Sequence, residues 1–265
     1  MARTSDRLFR ALFPLGIAAT CLLLLAATGS SGAPIASVAL PEGALRPTLR
    51  QQLLAPRIAS ILEQTHFSRR PIDDNFSAQV FDHYLNALDG QHSYFLATDI
   101  SALQDWRNSF DDMIHTGQID PAFAIFARLQ QRNRERIKYA ISLLDKAPDF
   151  KINESFNFDR EKAPWARDRA ELDELWRLRV KSDALSLMLA GKSWPEAAET
   201  LRKRYARVLQ RVGQVSVDDV FESLMNAYAA VYDPHSNYFS PRSSEEYRIQ
   251  MSLSYEGIGA SLQLV

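Results

Sequence analysis

Apolar residues recur at three- and four-residue steps along most of the chain, which is the pattern of amphipathic helices. The clearest case runs from Val217 to Val231, where one apolar face extends over about four turns. Ser216 stands before it as an N-cap, and Asp218 and Asp219 lie in the first turn, where the helix dipole favours acids. The pattern therefore predicts a helix that begins directly after Ser216.

The same period predicts a series of further helices. They lie at about 48–65, 75–88, 98–115 and 168–190, over 123–144 with entry through Asp120-Pro121, and over 201–212. The fold class is therefore expected to be mostly α, with a multi-helix domain over residues 48–250.

The hydrophobic period changes from helical to two near the end of the chain. Apolar and polar residues alternate from Met251 to Glu256 and again from Ile258 to Val265. Alternation is typical of a β-strand, so we expect a strand to begin at residue 251. Because a strand without a partner is an aggregation hazard, we expect the chain to stop inside a further domain.

The first 33 residues differ from the rest of the chain. Three arginines precede an apolar stretch over residues 11–27, and small residues follow it. This order is typical of a secretory signal peptide, so we expect removal of the leader, after which residues 34–47 form an extended lead-in. An uncleaved membrane anchor is the alternative, although Pro14 makes the stretch marginal for a bilayer span.

The single cysteine, Cys21, lies inside this apolar stretch. Lipoprotein processing would require cleavage just before Cys21 and would leave Leu22–Leu25 at the new N-terminus, which disfavours it. Removal of the leader would leave a chain without cysteine, and hence without disulfide or thiol chemistry.

Charge and composition exclude several functional classes. The 31 Lys and Arg residues nearly balance the 32 Asp and Glu residues, giving a formal net charge of -1. Nucleic-acid binding normally shows as a basic excess, so no nucleic-acid partner is expected. The histidines form no i, i+4 pair, so neither a metal site nor a cofactor is expected. The Asp73-Asp74 and Asp111-Asp112 pairs are interpreted as solvated helix ends.

A run of basic residues crosses the predicted helix over 123–144. It is expected to be an exposed helix face, with a partner-binding basic patch as the alternative, since acids are scarce nearby. The run consists of Arg128, Arg132, Arg134, Arg136 and Lys138.

Two loops of similar sequence follow two of the predicted helices. Residues 89–95 and 233–239 both read Asp, turn residues, His-Ser and Tyr-Phe. In each, the Asp side chain is expected to close a turn and the Tyr-Phe pair to anchor the loop, ahead of a newly capped helix. A hydrolase site that uses His92 or His235 with the adjacent serine is the alternative. Neighbouring residues rarely align a hydroxyl with an imidazole, and no Gly-x-Ser-x-Gly elbow is present, so the turn interpretation is favoured.

The stretch over residues 146–167 carries prolines and large aromatic side chains without a helical period. A flexible linker would not need these aromatics, so we expect an ordered connection that packs across the helices. The aromatic residues are Phe150, Phe156, Phe158 and Trp165.

Several segments resemble one protein family in the family's own order. They are residues 81–89, 155–165, 233–242 and 251–260. Together they are similar to the N-terminal helical domain of the tail-specific, or carboxyl-terminal processing, proteases, over residues 48–265. In that family a PDZ domain, the catalytic core and a C-terminal region follow the helical domain.

The resemblance implies that residues 251–265 are the start of a PDZ domain. Gly257, Ile258, Gly259 and Ala260 resemble the glycine-flanked loop whose backbone amides receive the C-terminal carboxylate of a substrate. Glycines that only permit a bulge or a close backbone approach are the alternative. The family's nucleophilic serine and lysine base lie beyond the PDZ domain, and no position here matches either motif, so no catalytic residue is assigned.

The resemblance also implies a function: the N-terminal region of an exported serine endopeptidase that recognises protein C-termini and processes or degrades periplasmic proteins. This 265-residue chain is predicted to be inactive alone. Expected partners are protein substrates and a lipoprotein adaptor. A periplasmic location without a membrane span is expected, and membrane association is left open. The alternatives are a non-enzymatic helical binding or adaptor module of the envelope, and a helical scaffold whose strand pairs with a partner.

Overall fold

A computed structural model describes residues 39–252 of the chain. The α-helices are α1 (Leu49–Thr65), α2 (Asp74–Asp89), α3 (Ala97–Leu103), α4 (Phe110–Thr116), α5 (Asp120–Ser142), α6 (Arg169–Leu189), α7 (Trp194–Gln214), α8 (Val217–Tyr232) and α9 (Pro241–Ser252). Short 3₁₀ helices follow α3 and α5, at Gln104–Trp106 and Leu143–Asp145. The β pairing seen in this part of the chain is one isolated parallel bridge between Leu96 and Ala166. The predicted fold class, mostly α, is confirmed.

The helices begin where side chains can satisfy their first N–H groups. The predicted start of α8 is confirmed, because Ser216 Oγ accepts from Asp219 N at 3.2 Å and the Asp219 carboxylate accepts from Ser216 N at 2.8 Å. Asp168 Oδ1 likewise accepts from Glu171 N at the start of α6, at 2.9 Å. Because these side chains satisfy backbone N–H groups at the helix start, the polar residues that precede an apolar period mark where these helices begin.

The first of two hydrophobic cores lies among α1 to α4, the first half of α5, and α8. Large aromatic residues fill it, and each buried tyrosine has a backbone partner for its hydroxyl. Tyr84 OH donates to Ala122 O at 3.1 Å, which ties α2 to α5. Tyr228 OH donates to Phe110 O, which ties α8 to α4.

The second core lies among the last part of α5, α6 and α7. Its centre is Trp176, whose indole N–H donates to Ser93 O at 2.7 Å. Helix α5 has 23 residues and is therefore about 35 Å long, enough to contribute to both cores. No helix within residues 39–252 is long and apolar enough to cross a bilayer.

The single helix predicted over 98–115 is wrong, since this stretch contains α3, a 3₁₀ turn and a separate α4. The break is held by Ser77 of α2, a buried residue. Ser77 Oγ donates to Arg107 O at 3.0 Å and accepts from Phe110 N at 2.7 Å. A hydroxyl from a distant helix thus replaces the intrahelical bonds that a continuous helix would make.

The predicted strand start at residue 251 is also wrong for its first two residues. Met251 and Ser252 belong to α9, and none of the α9 side chains is buried in either core. Residues 253–265 and the predicted leader, residues 1–33, lie outside the described part of the chain. Of the predicted lead-in, residues 39–47 are described, and Leu40 anchors them in the first core.

Candidate functional site

The residues predicted to receive a substrate carboxylate lie outside the described part of the chain. These are Gly257, Ile258, Gly259 and Ala260, and their role stays a prediction. Three other sequence features are described by the structure: the two Asp-His-Ser loops, the connection over 146–167, and the basic run on α5.

The first loop, residues 89–95, closes around the buried carboxylate of Asp89. Asp89 Oδ1 accepts from Ser93 N at 2.8 Å, and Oδ2 accepts from Tyr94 N at 3.1 Å and Phe95 N at 2.9 Å. Burial raises the pKa of Asp89 above its ordinary value, although these three hydrogen bonds oppose the shift. The predicted roles of the Asp side chain and of Phe95, which is fully buried, are confirmed for this loop.

The connection over 146–167 binds to this loop. The Trp165 indole N–H donates to Asp89 Oδ2 at 3.3 Å, and the Trp165 ring stacks on His92 with the ring centroids 3.8 Å apart. His92 Nδ1 in turn donates to Ala163 O. His92 therefore contributes to a structural contact between two distant segments. This contact explains the position of His92 without a catalytic role.

The aromatic residues of the connection do not all pack on the helices. Phe150 contacts Trp194 at the start of α7, with ring centroids 6.3 Å apart. Phe156 and Phe158 instead contact each other, and Phe158 is 67% exposed. The connection is ordered against the helices at Phe150 and Trp165, as expected, but not along its whole length.

In the second loop, residues 233–239, the side chain of the aspartate accepts fewer backbone hydrogen bonds. Asp233 Oδ1 accepts from His235 N at 3.2 Å, and Asp233 Oδ2 accepts from Ser236 Oγ at 3.3 Å. The loop then joins α8 through Tyr238 N, which donates to Asn226 Oδ1 at 2.7 Å. The two loops thus share a turn-closing aspartate while differing in how many N–H groups it binds.

A histidine other than the ones predicted lies beside the second loop's serine. His66 Nε2 is 3.4 Å from Ser236 Oγ. The other ring nitrogen, His66 Nδ1, contacts Ser68, with Ser68 Oγ at 2.8 Å and Ser68 N at 3.3 Å. In a serine–histidine–aspartate triad the carboxylate orients the imidazole, whereas Asp233 contacts the serine hydroxyl instead. These three side chains therefore do not have the contact order of a catalytic triad.

The basic run on α5 is an exposed face only in part: Arg128, Arg134 and Lys138 are exposed as expected, whereas Arg132 and Arg136 are paired inside the fold. Arg132 binds Asp99 with both its Nε, at 2.7 Å, and its Nη2, at 2.9 Å. Arg136 is only 1% exposed and pairs with Asp173 of α6. Burial alone would raise the pKa of Asp99, but Arg132, Leu96 N and the charge of Arg128 outweigh it and lower the pKa. Only Arg134 and Lys138 of the run remain exposed without an ion pair in the described residues.

A cleft of about 450 Å³ separates the connection from α6 and the end of α5. Lys181 of α6 donates from Nζ to Ile152 O at 3.0 Å and also binds Glu154. Hydrogen bonds from Arg177 and Lys181 lower the pKa of Glu154 to about 2. Both cations are thus used to hold the connection, so this cleft has a structural explanation.

Within residues 39–252, no group of three or more His, Cys, Asp or Glu side chains could hold a metal ion. The Asp73-Asp74 pair includes the N-cap of α2, since Asp73 Oδ1 accepts from Phe76 N at 2.8 Å. Asp111 is less solvated than expected, because its Oδ1 is buried and has no hydrogen-bond partner among residues 39–252. Burial, together with the nearby charges of Asp112 and Asp74, raises the pKa of Asp111.

Two comparisons with known proteins agree with one another. A family profile described as the tail specific protease N-terminal domain matches residues 58–242. A tail-specific protease of Haemophilus influenzae is 37% identical to the chain over 240 residues. That alignment covers 86% of this chain and 34% of the relative, so the chain spans about a third of the relative's length.

Proposed function

The chain belongs to the tail-specific protease family, in which it supplies the N-terminal domain, and we propose that it is the N-terminal region of an exported serine endopeptidase that recognises protein C-termini. The profile match over residues 58–242 is the observation that carries this proposal, because it covers nearly every helix of both cores. The proposed substrates are periplasmic or envelope proteins, and the proposed location is the periplasm.

The proposed role of the helical domain is to support the domains that bind and cleave the substrate. The ties between distant segments favour a rigid support: Asp89 joins one loop to Trp165, and Trp176 joins the same loop to α6. Helix α9 leaves this support with its side chains exposed and leads into residues 253–265, which resemble the start of a PDZ domain. An adaptor lipoprotein is a further proposed partner of the domain.

The proposed chemistry, a serine nucleophile with a lysine base, would belong to a part of the enzyme that this chain does not match. The contact of Asp233 with Ser236, rather than with the nearby imidazole of His66, supports the view that residues 39–252 contribute no nucleophile of their own. The coding sequence that follows Val265 tests the proposal. A PDZ-like segment followed by a serine and lysine core would support it, and a stop codon there would favour a non-enzymatic binding or adaptor module.

A further inference from the structure

The outward side of α1 carries several large apolar side chains, and no other part of residues 39–252 covers them. Leu49, Leu53, Arg57 and Ile61 follow at i+4 steps and therefore share one face of the helix. The apolar side chains are exposed by 70% at Leu49, 55% at Leu53 and 59% at Ile61. Phe67, in the loop directly after α1, is 85% exposed. Exposed apolar side chains in such a series mark an interaction surface.

Arginines accompany these apolar side chains. Residues 46–70 contain five arginines and a single acid, Glu63, although the chain as a whole carries a net charge of -1. Arg50, Arg57 and Arg69 are exposed and have no ion-pair partner among residues 39–252. Glu63 is occupied, since it accepts from Ile72 N at 3.1 Å and faces His115. Residues 46–70 therefore have four more basic than acidic residues, and three of these arginines are available to a partner.

Two other exposed surfaces within residues 39–252 each have one of these properties without the other. Helix α7 has three exposed arginines, Arg204, Arg207 and Arg211, but none of the largely exposed apolar side chains of the described residues lies on it. Phe158 is an exposed aromatic residue, but Asp159 and Glu161 offset the basic residues beside it. These two surfaces therefore provide matched controls, one for charge alone and one for apolar exposure alone.

We propose that the outer face of α1, with Phe67 and Arg69 in the following loop, binds the surface of a membrane that contains anionic phospholipid. We call these residues the α1 face: Leu49, Arg50, Leu53, Arg57, Ile61, Phe67 and Arg69. Interfacial helices place apolar side chains at the acyl boundary while arginines reach the headgroup phosphates. Free arginines facing outward complement negative lipid charge, which a neutral apolar partner would not require.

This inference is independent of the proposed proteolytic function, because it uses no residue of the Asp-His-Ser loops or of the carboxylate-binding prediction. It concerns a peripheral contact that leaves the helices of both cores unchanged. The membrane would hold the domain at its surface without any helix spanning the bilayer.

Vesicle co-sedimentation tests the proposal. The protein without its predicted leader, residues 1–33, is mixed with vesicles of phosphatidylcholine containing about a quarter phosphatidylglycerol, and with vesicles of phosphatidylcholine alone. We expect binding to the anionic vesicles that falls in about 0.5 M NaCl, because salt screens the arginines. Circular dichroism and the thermal midpoint establish that every variant used remains folded.

Two control variants test whether binding depends on the α1 face itself, rather than on exposed positive charge alone or on exposed apolar side chains alone. Arg50→Gln, Arg57→Gln and Arg69→Gln together should weaken binding about tenfold to a hundredfold, whereas Arg204→Gln, Arg207→Gln and Arg211→Gln together should have little effect. Phe67→Ser with Leu53→Ser should weaken binding about tenfold, whereas Phe158→Ser should not. Absence of vesicle binding, equal losses in the α7 variant, or a dimer that the α1 variants dissolve would overturn the proposal.

Discussion

The close approach of α4 to α1 provides the most quantitative prediction of this structure. Gly117 ends α4 with φ of 76°, and its N–H donates to Met113 O at 2.9 Å. A Cβ added to Gly117 would lie 2.1 Å from the backbone oxygen of Gln52 and 3.0 Å from its carbonyl carbon. Because both atoms belong to the backbone of α1, no side-chain rotation can relieve the contact.

Gly117→Ala should therefore cost free energy of unfolding in two ways. Placing a non-glycine residue in the left-handed region costs about 1–2 kcal/mol. Pushing α1 away from α4 is an overpacking change, which costs about 1–3 kcal/mol. Together these give an expected loss of about 2–5 kcal/mol, a large part of the stability of an ordinary domain.

Urea denaturation followed by circular dichroism measures this loss, and Gly191→Ala is the matched control. Gly191 ends α6 with φ of 93°, but an added Cβ there would meet no atom within 4 Å. The control should therefore lose only the backbone part, about 1–2 kcal/mol. Equal losses in the two variants would refute the argued collision between α4 and α1.

Three further predictions concern the charged and aromatic contacts. Asp99→Asn should lower the free energy of unfolding by about 1–3 kcal/mol at neutral pH. Because the folded-state pKa of Asp99 lies below its unfolded value, this contribution is present above about pH 4 and is lost as the pH falls, so the two proteins should converge in an acid titration of stability. Arg136→Ala should cost about 3 kcal/mol in urea denaturation, because it removes a buried side chain and leaves the Asp173 carboxylate without its buried partner, while the exposed Arg134→Ala on the same helix should change stability by less than about 0.5 kcal/mol. Trp165→Ala should expose the connection over 146–167 to limited proteolysis, and equal cleavage in Phe158→Ala would contradict the account of how that connection is held.

The amphipathic helices could be predicted from the sequence because each buries one side of a regular period. The face from Val217 to Val231 and the cap at Ser216 both correspond to the structure of α8. The fold class followed for the same reason, since local periodicity requires no knowledge of the partner surface. Helix α6 could be predicted in the same way, although its exposed side also carries apolar residues, Leu185 and Leu189, which weaken the contrast between its two faces.

The features that could not be predicted depend on contacts between residues far apart in the chain. The break before α4 needs the hydroxyl of Ser77, 33 residues before Phe110. The burial of Arg136 needs Asp173, 37 residues away, and its basic neighbours gave the opposite expectation. His66 was not singled out because its partner Ser236 lies 170 residues further along. An isolated segment gives no information about such pairs.

The candidate site was predicted only as far as local chemistry allows. A turn-closing role for Asp89 follows from aspartate followed by turn residues. The number of N–H groups it binds, and the indole of Trp165 that completes the set, depend on how the connection crosses the helices. The carboxylate-binding role of residues 257–260 stays a prediction.

The chain belongs to the tail-specific protease family, and we propose that it cleaves no peptide on its own. The most direct measurement is hydrolysis of a peptide with an apolar C-terminus by the purified protein without its predicted leader, with Ser236→Ala as the matched variant. We expect no cleavage above the buffer rate for either protein. Cleavage by the parent protein that Ser236→Ala abolishes would contradict the proposal.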